Sequence, residues 1–296
     1  EAALAVQKLI TRDNVVSIIG EVASSRSLAA APICQERKVP MVSPGSTNPE
    51  VTKKGDYIFR VCYIDPFQGE VLAKFAYNSL GLRKVAILKD VKNDYSVGLA
   101  QFFDETFTKL GGEVVGEQAY SEGDSDFKAQ LTALKAMSPE GIFVPGYYTE
   151  SALIVKQARE LSMNMAFFGG DGWDSDRLIE IGGEAMNGTY FTNHYSADDT
   201  SALVQKFVAK YRSQFDNQTP DAMAALGYDA AMVLFDAIKR AGVVDKAKIR
   251  DMLATTTDFP GVAGKTTIDP ERNARKSAVI IAIENNRLIF RETVQP

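Results

Sequence analysis

Three loops gather side chains of the kinds that recognise a small charged molecule. After an apolar, β-branched run at residues 15–19 come Gly20, Glu21, Val22, Ala23, Ser24, Ser25 and Arg26, and then a helical stretch. After a second short run at 41–42 come Ser43, Pro44, Gly45, Ser46 and Thr47. Small residues and hydroxyls at a strand end let backbone N–H groups approach a ligand closely. A helix N-terminus beside them favours an anion such as a carboxylate. Ser and Thr are also ordinary helix caps, so each of these loops has a purely structural reading as well. The third loop, Gly169-Gly170-Asp171-Gly172-Trp173-Asp174, follows residues 166–168 and has the opposite sign. A carboxylate there could take an ammonium group or a metal, although taken alone Asp171 reads first as the cap of a helix starting near Ser175. Tyr95, Tyr147 and Tyr148 lie just beyond other strands, where aromatic rings could floor a pocket.

No catalytic constellation is complete. Residues 261–266, Gly-Val-Ala-Gly-Lys-Thr, imitate a phosphate-binding loop, but Phe259 stands where its first glycine belongs. There is no Gly-x-Ser-x-Gly elbow, and His194, the single histidine, is the only base a serine triad could use. Its place just after residues 190–192 reads as a solvated or hinge-side position. Asp124 and Asp126 read as capping residues. Cys34 and Cys62 read as buried free thiols, with a disulfide open only if their Cα atoms approach within roughly 7 Å. No metal and no cofactor is called for.

The elements that must position these loops alternate in hydrophobic period. Short continuous apolar runs (15–19, 40–43, 57–61, 84–88, 113–118, 141–144 and 166–168) are separated by amphipathic stretches at helical spacing. Such runs indicate parallel strands covered on both faces, so the fold class is α/β. After residue 190 the rhythm gives way to long helices at 201–215 and 221–241 and a shorter one at 246–254; two strands over 276–293 then flank a turn at Asn285-Asn286. A chain of 296 residues with this many elements is more economically two α/β domains than one sheet. With 45% hydrophobic and 24% charged residues the chain has the balance of a soluble globular protein. Its net charge of −5 argues against a nucleic-acid partner. No apolar run approaches the ~20 residues that span a bilayer.

In order along the chain, the segments VVSIIGEVASS, VPMVSPGSTNPEVT, YIFRV with its downstream DPFQG, KVAILKD with Tyr95, GDSDFKAQL, GIFVPGYYTE, FFGGDGWDS and ALGYDA resemble the periplasmic substrate-binding proteins of branched-chain amino-acid ABC transporters. Any one of them is a weak signal, whereas the ordered set, running to about residue 265, is specific. The resemblance implies the type I periplasmic-binding fold: two doubly wound parallel-sheet lobes joined by three crossovers that close on a ligand. One lobe would take residues 1–65 and 194–270, the other 66–193 and 271–296. It implies that Ser24 binds the ligand α-carboxylate and that Gly45 and Thr47 contact its carboxylate and ammonium. Asp171, shorter than the family's glutamate, would pair with the ammonium. Tyr95 and Tyr147 would come from the second lobe, and Val22 and Met223 would line the side-chain pocket. The family's first strand–helix–strand unit has no counterpart here, and the natural protein is expected to contain it. The expected role is non-catalytic: a monomer in the periplasm or otherwise outside the cytoplasm, lipid-anchored in a Gram-positive source. It would capture an aliphatic amino acid and present it to a membrane permease. A sensory or regulatory module of the same fold, recognising an amino acid or amide, is the alternative.

Overall fold

Residues 1–296 are described by a computed structural model. The chain opens with α1 (Ala2–Thr11), β1 (Ile18–Ile19), α2 (Ser24–Glu36), β2 (Met41–Ser43) and β3 (Ile58–Arg60). It continues through α3 (Asp65–Lys74), β4 (Lys84–Asp90), α4 (Asp94–Lys109), β5 (Glu113–Tyr120), α5 (Lys128–Ala136) and β6 (Gly141–Val144). Then come α6 (Tyr148–Glu160), β7 (Ala166–Gly169), α7 (Asp176–Gly182) and β8 (Thr189–Asn193). The last third holds α8 (Ala202–Gln214), α9 (Ala222–Ala241), α10 (Lys246–Ala254), β9 (Thr267–Ile268), β10 (Ala274–Arg275), β11 (Ala278–Glu284) and β12 (Arg287–Val294). Two units divide the chain: unit 1 is residues 1–64, 197–277 and 295–296, and unit 2 is residues 65–196 and 278–294.

In unit 1 the strands β1, β2 and β3 form a parallel sheet in that order, and β9 pairs with β10 as a separate antiparallel ribbon. Val6, Ile10, Ile18, Ala30, Ala31, Cys34, Met41 and Ile58 make its core, with helices α1 and α2 contributing the small and aliphatic faces. Two bounds differ from the expectations of apolar spacing. Strand β1 pairs only over Ile18–Ile19, and α2 starts at Ser24, four residues before the first apolar position expected of it. Its first turn is Ser-Ser-Arg-Ser, invisible to a hydrophobic period, yet Ser24 and Ser27 are buried.

Unit 2 is built on a seven-stranded sheet in the order β12-β11-β8-β7-β6-β4-β5. The five strands from β8 to β5 run parallel, while β11 is antiparallel to β8 and β12 to β11. Strand alternation sends successive side chains to opposite faces. Ile142, Val144 and Phe167 thus join one core cluster with Phe127, Trp173 and Ile281. Phe143 and Phe168 join the other with Leu99, Phe103 and Phe107. The β11–β12 turn uses Asn285 and Asn286 at φ 50° and 57°, the left-handed pair that a two-residue hairpin demands and that Asn tolerates. Helix α3 begins at Asp65, where an acidic first residue followed by Pro66 favours a helix start.

Candidate ligand-binding site

In unit 1 the loops after β1 and β2 are tied to each other by serine hydroxyls. Ser43 Oγ donates to the Glu21 carbonyl at 2.7 Å, Ser46 Oγ reaches the carbonyls of Glu21 and Val22 at 3.0 and 2.9 Å, and Ser27 Oγ lies 2.7 Å from Ser46 Oγ. Beneath them Arg60, fully buried, donates to the carbonyls of Ser46 and Asn48, the latter at 2.9 Å. A guanidinium satisfied by backbone carbonyls fixes the loop and brings positive charge under it. On this scaffold sit Ser24, 1% exposed, and Thr47, 1% exposed. Ser24 Oγ accepts from the Asn48 amide at 3.2 Å, which leaves its own O–H to donate. Thr47 Oγ1 is buried with no hydrogen-bond partner. Neither residue is a cap: Ala23 occupies the N-cap of α2 and bonds no amide through its side chain. An uncapped helix start flanked by two hydroxyls suits an anion.

Val22, Gly45 and Met223 come together beside these polar groups. A methyl on Gly45 would lie 2.8 Å from Met223 Sδ and 3.3 Å from Val22 Cγ1. Met223 stands in the first turn of α9, which Asp221 starts by accepting from the Ala224 amide at 2.7 Å. Ser24, Gly45, Thr47, Val22 and Met223, all expected of the site, therefore lie together in unit 1.

Unit 2 gathers the other three. Asn93 caps α4 by accepting from the Tyr95 amide at 3.0 Å, so the ring of Tyr95 is set by the first turn of that helix. It stacks on Tyr147 at a centroid distance of 5.4 Å and 25°. The Tyr95 hydroxyl accepts from the Gly172 amide at 3.2 Å, and Gly172 packs so tightly that an added methyl would meet the Gly146 carbonyl at 2.7 Å. Burial, with the charges of Asp171 and Asp65 adding to it, pushes the Tyr95 phenol well above its ordinary range, so it stays protonated.

Asp171 is 2% exposed and does not cap a helix; that role belongs to Ser175, which accepts from the Arg177 amide at the start of α7. Instead Asp171 Oδ1 accepts from Gln68 Nε2 at 2.9 Å, and Oδ2 lies 2.8 Å from His194 Nε2. Gln68 Nε2 also reaches Thr192 Oγ1 at 2.8 Å. A carboxylate oxygen has two lone pairs, so both oxygens keep acceptor capacity for a ligand donor. Of the two positions its sequence suggests, solvated or hinge-side, the solvated one does not hold: His194 is 3% exposed, with its imidazole against the Asp171 carboxylate. Gln68 and His194 were not singled out as site residues. For His194 the sequence carries a signal, a unique histidine immediately after a strand; for Gln68 it carries none, because its partner Asp171 lies 103 residues away.

No group of three or more His, Cys, Asp or Glu side chains is arranged to hold a metal. The phosphate-loop lookalike has another use. Its Val262 and Ala263 amides donate to the Asp229 carboxylate at 2.7 and 2.9 Å, so the nest is filled by a carboxylate of the chain itself.

With this geometry in view, residues 1–284 match the family model described as periplasmic binding protein. The Leu/Ile/Val-binding protein BraC3 of Rhizobium johnstonii is 31% identical over 263 residues, covering 87% of this chain and 70% of the relative. The crystal structure of the leucine-binding protein LivK of Thermotoga maritima is 47% identical and superposes with a TM-score of 0.97, covering the whole of this chain and 84% of that one. The branched-chain amino acid transporter substrate-binding protein LivJ of Streptococcus pneumoniae, solved with isoleucine, is 33% identical with a TM-score of 0.93 and the same coverage. The chain therefore belongs to the periplasmic binding protein family and is a transporter substrate-binding protein, not an enzyme.

Proposed function

We propose that this protein binds the zwitterion of a branched-chain amino acid outside the cytoplasm and hands it to the membrane permease of an ABC transporter. Ser24, Thr47 and the first-turn amides of α2 take the α-carboxylate, and Gly45 contributes its backbone. Asp171 takes the α-ammonium, with Tyr95 and Tyr147 as the aromatic wall beside it. Val22 and Met223 accept the aliphatic side chain. The observation that carries this reading is Asp171: a carboxylate 2% exposed, held by neutral or switchable donors in unit 2 and still able to accept. Names of relatives that bind leucine, isoleucine or valine support the ligand class.

The test is calorimetric titration of protein stripped of any carried ligand by denaturation and refolding. L-Leucine, L-isoleucine and L-valine are expected to bind. Benzoate, an anion without an ammonium, serves as the counter-probe and is expected to bind far more weakly. Asp171→Ala leaves a desolvated ammonium unpaired, which costs about 2–5 kcal/mol, so affinity should fall about 30-fold or more. Absence of binding to all three amino acids by the wild type would overturn the reading. Benzoate binding that Asp171→Ala leaves intact would move the ligand class to aromatic carboxylates.

A further inference from the structure

The pairing of Asp171 with the only histidine of the chain carries an inference about how the site is controlled. His194 Nε2 lies 2.8 Å from Asp171 Oδ2, and neither side chain is more than 3% exposed. Imidazole changes its charge between about pH 5 and 8. Neutral, with Nε2–H donated to Oδ2, it leaves the full negative charge of Asp171 available and holds the carboxylate in one orientation. With a second proton the pair carries no net charge, and a ligand ammonium meets an imidazolium in a place without bulk water to screen the two.

The surroundings set the charge that a proton on His194 would meet. Strand β8, which ends at Asn193 immediately before His194, is contacted by α3 and by the turn that carries Asp171. Helix α3 brings Asp65 and the amide of Gln68; the turn brings Asp171 and, three residues on, Asp174. Tyr95 of α4 feels the charges of Asp171, Asp65 and Tyr147. The flanking strands bring only apolar residues to this end, Gly169 of β7 and Val279 of β11. The ionisable neighbours named are thus carboxylates and phenols. Carboxylates beside an imidazole favour its protonated form, and an arriving ammonium is the cation that would compete with that proton.

We propose that His194 is a positioning residue for Asp171 whose protonation competes with the ligand's ammonium, so that the amino acid is held at neutral pH and released in acid. This rests on the reading of Asp171 as the ammonium acceptor. Binding and proton release are then linked reciprocally: one proton leaves the protein as one amino acid enters, and affinity falls by up to about tenfold per pH unit across the window. The amino acid's own carboxylate and ammonium stay ionised throughout it.

The experiment is titration of the full chain with L-isoleucine at about pH 7.5 and about pH 5.5, each in two buffers of different ionisation enthalpy, so that released protons are counted. Expected are an affinity about tenfold or more weaker at the acid pH and close to one proton released within the window. His194→Gln, which keeps a neutral donor in the Nε2 position, should lose the pH dependence and the proton release whatever its affinity at neutral pH. Equal wild-type affinity at both pH values with no proton released overturns the proposal while leaving the binding function standing. A His194→Gln protein that keeps the pH dependence also overturns it, because another group then titrates. If that variant does not fold, the wild-type proton count decides alone. Failure of isoleucine to bind at either pH overturns the functional reading instead.

Discussion

Gly172 and Gly45 each lie against a residue of the proposed site, but they answer to different neighbours. A Cβ at Gly172 would stand 2.7 Å from the Gly146 carbonyl and 2.9 Å from Tyr147 Cδ1, so backbone and an aromatic ring would both have to move. Overpacking of this kind costs about 1–3 kcal/mol. Gly172→Ala is expected to lower the thermal midpoint and, by disturbing the Tyr95–Tyr147 stack, to weaken isoleucine binding. Thermal denaturation and calorimetry read the two effects. At Gly45 the obstacle is the thioether of Met223, a flexible side chain that can rotate away. Gly45→Ala should therefore cost less than about 1 kcal/mol of stability yet shift the order of affinity among leucine, isoleucine and valine. Equal stability losses in the two variants would contradict this distinction.

At the scale of elements, helix α9, the 261–264 loop and the segment after β10 are joined through one buried ion pair. Lys276 Nζ lies 3.4 Å from Asp229 Oδ2, both side chains 1% exposed, while the loop amides hold the same carboxylate. Removing one partner strands the other: Asp229→Ala leaves an ammonium and two amides without their acceptor, at a cost of about 3–5 kcal/mol. Urea unfolding measures it. Burial also lowers the Lys276 ammonium below its ordinary value of 10.5, with Asp229 opposing the shift. Between the lowered value and 10.5 the unfolded chain holds a proton that the folded one has released, so this contribution to stability rises with pH. The wild type should thus gain stability relative to Lys276→Met as pH climbs through that window. A difference between the two that stays flat over the window would show that Lys276 does not titrate there.

For the whole molecule, two intrinsic probes fall one set to each unit. Trp173, the only tryptophan, is fully buried in unit 2; Cys34 and Cys62, the only cysteines, form no disulfide and are fully buried in unit 1. Burial pushes the Cys34 thiol up to about 12, so it stays a protonated, unreactive thiol at neutral pH until unit 1 opens. Tryptophan fluorescence therefore follows unit 2 and thiol labelling follows unit 1. A ligand that binds only the native state raises the unfolding midpoint by mass action. If residues of both units engage one amino acid, saturating isoleucine should raise both midpoints. A rise in the fluorescence midpoint alone would assign the ligand to unit 2.

Much of this molecule was readable before any coordinates. The α/β class follows from apolar runs such as Gly-Ile-Phe-Val of β6 alternating with amphipathic helices, because burial on both faces and burial on one face leave different periods. The loops carrying Ser24, Gly45, Thr47 and Asp171 stand out as candidates because strand ends with glycines and hydroxyls admit a ligand, although the same residue types are ordinary helix caps. Hydrophobic period was silent where polar groups are buried for one another. It says nothing of the Ser-Ser-Arg-Ser start of α2, the carbonyl clamp of Arg60 or the bond from Gln68 to Asp171. It leaves His194 solvated or hinge-side, and of these the solvated reading fails, because that imidazole is enclosed against a carboxylate 23 residues away. Which residues are apolar, and at what spacing, is a local property of the chain and determines its elements. Which polar group satisfies which depends on contacts between residues far apart in sequence, and only the tertiary structure decides them.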